Sequence, residues 1–153
     1  MSSPLSIFSS RRLALLVPAL VVAFAMPPVQ AADVDNPLAA ERWKTRPVVV
    51  VVPQPDDGLL QRIESALQQT VAREAFRERE MVLYTVVAGA GRRNGSPLTV
   101  RQSRALLDTL QLDAAGPPTF VLVGKDGGVK MTEGANVDLS AVFAEIDRMP
   151  MRR

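Results

Sequence analysis

The 153-residue chain has no cysteine, no histidine, one tryptophan and one tyrosine. Each absence removes a class of chemistry. Without cysteine there is no disulfide, no thiolate nucleophile and no thiol redox couple. Without histidine, the commonest general base near neutral pH and the commonest transition-metal ligand are both missing. A serine nucleophile activated by histidine is excluded outright. Zinc, haem and iron–sulfur centres lack their usual ligands, so the expectation is no cofactor and no metal. An excess of one charge is also lacking. Two of the 18 basic residues, Arg11 and Arg12, stand in the first 31 positions, and the rest balance the 16 acidic residues. A neutral remainder offers no electrostatic footprint for nucleic acid, and none is expected as a partner.

No apolar run is long enough to span a bilayer. Residues 13–26, which follow Arg11-Arg12, are apolar but include Pro18, and a spanning helix needs about 20 such residues. A basic pair, a short apolar region and small residues at Val29 and Ala31 make the pattern of a secretory signal peptide. Residues 1–31 are therefore expected to be removed after Ala31, leaving no stable membrane anchor and a periplasmic or secreted chain. Residues 32–38 are expected to be loose and 39–153 to form one domain, held by its core alone.

Five consecutive valines, Val48 to Val52, lie between Pro47 and Pro53. A run without polar alternation reads as a strand buried on both faces, hence central in its sheet. Gln54-Pro55-Asp56-Asp57-Gly58 is a turn that can cap a helix. Apolar residues then recur at Leu59, Leu60, Ile63, Ala66, Leu67, Val71 and Phe76, predicting one helix over 59–77. Residues 81–87 read as a second strand and 88–97 as an exposed loop. Thr99 and Gln102 make a capping box before a helix over 100–110. Residues 119–123 form a third strand, Asp126-Gly127 a hairpin turn, and 129–132 a short fourth strand. Asp138 caps a last helix over 139–149. The predicted order is β-α-β-α-β-β-α, an α/β fold with a four-stranded mixed sheet flanked by helices. The first two strands should be parallel with a right-handed crossover.

A Pro-Thr step before the third strand, followed by a hairpin and a closing helix, resembles the thioredoxin core. The match narrows further. Arg42-Trp43-Lys44-Thr45-Arg46-Pro47, Arg77-Glu78-Arg79-Glu80-Met81-Val82, the segment from Phe120 through Gly124-Lys125-Asp126-Gly127-Gly128 to Lys130, and Ile146-Asp147-Arg148-Met149-Pro150-Met151-Arg152 are similar to a bacterial family called domain of unknown function 4174. The resemblance implies a thioredoxin-like, exported and cysteine-free domain. It supplies no reaction and no catalytic residues. In thioredoxin-like folds the proline before the third strand is usually cis and faces the redox site; Pro118 matches it, with Pro117 as the alternative.

The candidate binding cleft is Gln54, Pro55, Asp56, Asp57, Pro118 and Thr119, where thioredoxins carry their cysteines. With no thiol there, the expected occupation is recognition of an unknown periplasmic protein or peptide. Asp56 and Asp57 read more simply as helix caps. An alternative is an anion or polysaccharide contact through Arg92, Arg93 and Asn94, in a glycine-bearing stretch that lacks both the Walker and dinucleotide fingerprints. Less favoured is a non-thiol enzyme using Asp56 or Asp57 with Lys125 or Tyr84. Trp43 is expected to pack over the sheet edge beside Arg or Lys stems.

Overall fold

The computed structural model describes residues 35–150; the predicted leader, its cleavage point and the last three residues lie outside them. A 3-10 helix, Pro37–Glu41, opens the fold and begins inside the segment expected to be loose, with Leu38 buried. It is followed by β1 (Arg46–Val52), α1 (Gly58–Gln68), α2 (Thr70–Glu78), β2 (Met81–Val87), β3 (Ala90–Arg93), β4 (Ser96–Pro97), α3 (Val100–Leu110), β5 (Thr119–Val123), β6 (Val129–Glu133) and α4 (Leu139–Arg148).

The sheet has six strands in the order β4-β3-β2-β1-β5-β6. β1 and β2 are parallel, and every other neighbouring pair is antiparallel. All seven residues of β1 are buried. Val48, Val50 and Val52 face Leu59, Leu60, Ile63, Phe76, Val142 and Ile146 of α1, α2 and α4. Val49 and Val51 face Leu38 and Leu106 of the 3-10 helix and α3. Covering both faces of the central strand makes a three-layer α/β/α fold and explains why the valine run needs no alternation.

Two expectations are corrected. The sheet has six strands rather than four, because residues 90–97 form the hairpin β3–β4 rather than a loop. Tight turns build it: Ala88-Gly89 and Asn94-Gly95 all take positive φ, the backbone of a two-residue hairpin turn. Gly91 then allows α3 to approach. A Cβ there would lie 2.7 Å from Ser103 Oγ; instead Gly91 N–H donates to that oxygen at 3.0 Å, and the Ser103 hydroxyl donates to the Thr99 carbonyl. The helix predicted over 59–77 is two helices. Gln69 takes an extended conformation (ψ 133°) between α1 and α2, which turns Val71 into solvent.

The local signals otherwise act as read. Asp57 and Asp138 accept hydrogen bonds from Leu59 N–H and Ser140 N–H, and Thr99 with Gln102 forms the full capping box. Gly127 takes φ +84° in the β5–β6 turn.

Phe120→Ala empties a site with no solvent access, so urea unfolding should show a loss of about 3–5 kcal/mol. Val71→Ser, at an 83% exposed position, should stay within about 0.5 kcal/mol of the parent.

Candidate functional site

The end of the sheet where β1 finishes brings the predicted cleft residues together. Val51 pairs with Thr119, so Pro118 enters β5 beside the point where Pro53 leaves β1. Ala88 N–H donates to the Val52 carbonyl at 3.1 Å, adding the β2–β3 turn to the same end. Gln54, Pro55 and Asp56 are exposed, while Asp57, Pro118 and Thr119 are half-buried. Asp57 is committed to its cap; the Asp56 carbonyl accepts from the Gln61 side chain. Thr119 Oγ1 donates to the Pro117 carbonyl at 2.9 Å. No peptide bond among the described residues is cis, so Pro117 and Pro118 are both trans, unlike the usual thioredoxin pattern. A recess of about 330 Å³ opens at this end between α3 and the segment leading to β5, with Gly89, Arg104, Leu107, Asp113 and Ala114 in its walls.

The second predicted group does not form an open basic patch. Arg93 Nε donates to Glu41 Oε1 at 2.7 Å. Asn94 Oδ1 accepts from Leu83 N–H and so pins the turn. Arg92 Nη1 reaches only the Gly95 carbonyl, at 3.4 Å.

Glu41 was not singled out by sequence reasoning, yet it is the hub. It is 5% exposed. Tyr84 Oη donates to Oε1 at 2.7 Å and Thr45 Oγ1 donates to Oε2 at 2.5 Å. Burial alone would raise its pKa. The hydrogen bonds from Arg93, Thr45 and Tyr84 outweigh that and hold the carboxyl below the ordinary 4.5. Burial, and then the Glu41 carboxylate, push the Tyr84 phenol well above its usual range. Thus the tyrosine donates, the carboxylate accepts, and neither is poised for proton transfer near neutral pH. Tyr84 lies 43 positions from Glu41, so no local pattern announces the pair.

Trp43 also departs from expectation. It is 66% exposed rather than packed. Its left-handed backbone (φ 64°) turns the indole outward, and the Arg42 stem takes the packing position over Gly127.

At the opposite end of the sheet, where β1 begins, ion pairs join the remaining elements. Arg79 makes a two-pronged contact with Asp147, at 3.1 and 2.6 Å, and stacks over Phe143. This bridges α2 to α4 without passing through the sheet. Arg46, 1% exposed, donates to the Arg79 carbonyl at 3.0 Å. Glu80 lies 3.8 Å from Arg46 and pairs with Lys125. Among the described residues no cluster of three or more metal-ligating side chains occurs, and no helix is long and apolar enough to cross a membrane.

The arrangement of Arg46 at the head of β1, Arg79-Glu80 before β2, the Lys125 turn and Asp147 near the end of α4 ties together the four segments that carry the family resemblance. A family model, domain of unknown function (DUF4174), matches residues 37–153. The chain belongs to that family. No curated protein and no solved structure matches it. The match begins at the first residue of the 3-10 helix, so this DUF4174 domain includes the helix that supplies Glu41.

Tyr84→Phe leaves the carboxylate short of one donor and should cost about 1.5–3 kcal/mol at neutral pH, the range for a hydrogen bond to a charged group. The folded-state pKa of Glu41 is lowered, so its contribution is fully present above the ordinary 4.5 and is lost as pH falls through the folded value. Acid titration of unfolding free energy should therefore be flatter below that pH in Glu41→Gln than in the parent, on a lower baseline.

Proposed function

We propose that this DUF4174 chain is a redox-inert, thioredoxin-like domain, exported by its leader to the periplasm or beyond, that binds an extended protein or peptide segment where β1 ends and β5 begins. The order β2-β1-β5-β6, with β1 and β2 parallel and β5 and β6 antiparallel, supports the thioredoxin-like reading. In it, β3–β4 is an addition along the outer side of β2. The complete lack of cysteine removes exchange chemistry from the position such folds use for it, and a retained scaffold can present a different site.

The observation that carries the reading is the Val51–Thr119 pairing. It brings the start of β5 beside the end of β1 and the exposed 54–56 segment, at the end of the sheet where the recess walled by Gly89, Asp113 and Ala114 also opens. A surface of prolines and short polar side chains, with Asp56 at its rim and Arg104 and Asp113 in the recess, suits an extended chain that can pair its own polar backbone and side chains there. The alternative of an anion or polysaccharide contact at Arg92, Arg93 and Asn94 loses its central cation to Glu41. A non-thiol enzyme using Asp57 would need it free of its cap, and one using Asp56 would rest on a carboxylate exposed in the turn.

Titration of the isotope-labelled protein with a library of extended peptides, followed by amide chemical shifts, tests the proposal. Perturbations should cluster at residues 53–57, 88–89 and 113–119. Pro118→Ala should weaken the best peptide about fivefold or more, ~1 kcal/mol. Binding mapped to the β3–β4 hairpin, or indifferent to that substitution, would overturn it.

A further inference from the structure

The opposite end of the sheet holds a feature that the peptide reading does not use. A cavity of about 370 Å³ is sunk between the start of β1, the β5–β6 turn and the end of α4, within the size range of small-ligand pockets. Its walls draw cations from four separate elements: Arg46 from β1, Lys125 from the turn, Lys130 from β6 and Arg148 from α4. The wall carboxylates are Asp126 and Glu145. Asp126 sits 2.6 Å from Lys130, and Glu145 sits 3.7 Å from Arg148. Glu80 reaches in from outside to pair with Lys125. With Glu80, which also lies 3.8 Å from Arg46, four positive groups stand against three carboxylates, an excess of one cation.

The backbone is shaped for this. A Cβ at Gly124 would clash with Lys130 Cε and lie 2.6 Å from Asp126 Oδ1. Glycine lets the lysine stem lie across the turn and bring its ammonium to Asp126 at the cavity rim. Arg46 is fixed by its bond to the Arg79 carbonyl, while Lys130 and Arg148 sit in local pairs, four and three residues from their partners. One cation is therefore rigid, and two are free to change partner when a stronger anion arrives.

The geometry points to a binding site for a compact, multivalent oxyanion of the phosphate class, either free or as a terminal phosphate on a larger molecule. Multivalency follows from the walls. A monovalent anion facing Asp126 and Glu145 loses much of what the cations offer. A phosphate dianion can recruit Lys130 and Arg148 from their local pairs, while Arg46 and Lys125 add to the field around it. The site lies at the far end of the sheet from Pro118, so it stands or falls separately from the peptide reading.

Calorimetric titration of the purified protein with inorganic phosphate at low ionic strength should show one site per chain. The double variant Lys130→Gln/Arg148→Gln, folded by circular dichroism and thermal melting, should bind about tenfold more weakly or worse. Arg92→Gln should bind like the parent. Trp43 is the single tryptophan, and its backbone N–H donates to the Lys125 carbonyl at 2.7 Å, so its exposed indole reports from this end of the molecule. Phosphatidylcholine vesicles doped with phosphatidic acid provide the second arm. A blue shift of Trp43 emission that is lost in the double variant assigns the phosphate to a lipid headgroup; no shift, with inorganic phosphate still bound, assigns it to a free ligand. Both results support the site. Binding of neither probe by the folded protein, or binding that the double variant leaves unchanged, would overturn it.

Discussion

Burial of β1 on both faces is the constraint from which the rest of the architecture follows. Seven residues with no solvent face require a layer on each side. The chain supplies α1, α2 and α4 to one and the 3-10 helix with α3 to the other. Once that sandwich closes, the two ends of the central strand are the places where backbone and loops can meet water, and both candidate sites lie there. This is the ordinary logic of an open α/β sheet, in which strands build the support and their termini carry the chemistry.

The layers are held by different means. The face carrying α1, α2 and α4 is closed by apolar packing and by the two-pronged Arg79–Asp147 contact. The other face has its own apolar cluster under α3 and adds one buried carboxylate. Glu41 gathers Tyr84, Arg93 and Thr45 and so fastens the 3-10 helix to β2 and β3. A lone buried carboxylate would be costly; with three donors it becomes a directional fastener that fixes where the helix sits. In a chain without disulfides this polar hub replaces a covalent link between the N-terminal turn and the sheet.

Much of this was legible from the residues. The valine run, the capping residues and the Asp-Gly turn are local signals, and the crossover rule fixed β1 and β2 as parallel. What escaped was non-local or weakly encoded. Ala90-Gly91-Arg92-Arg93 has little intrinsic preference for a strand; it is one because β2 offers an edge and Gly91 admits Ser103. The Asn94-Gly95 pair was nonetheless a readable hairpin sign. The break at Gln69 carries neither proline nor glycine and no side-chain cap, so no local signal announces it. Glu41 looked like any surface acid until Tyr84 was brought to it. The cleft around Pro118 was legible because the order of elements fixes which strand ends are neighbours. The basic cavity was not, since its four cations come from segments up to about a hundred positions apart.

The sheet also ends differently on its two sides. β4 is only two residues long and finishes in Pro97, which has no N–H to offer a further strand. β6 is longer, but it carries exposed Lys130 and Glu133, charges that would have to be stripped of water before another chain could dock alongside. One margin is blocked by a missing donor and the other by hydration, so a domain built around five adjacent valines is guarded against stacking into fibrous aggregates.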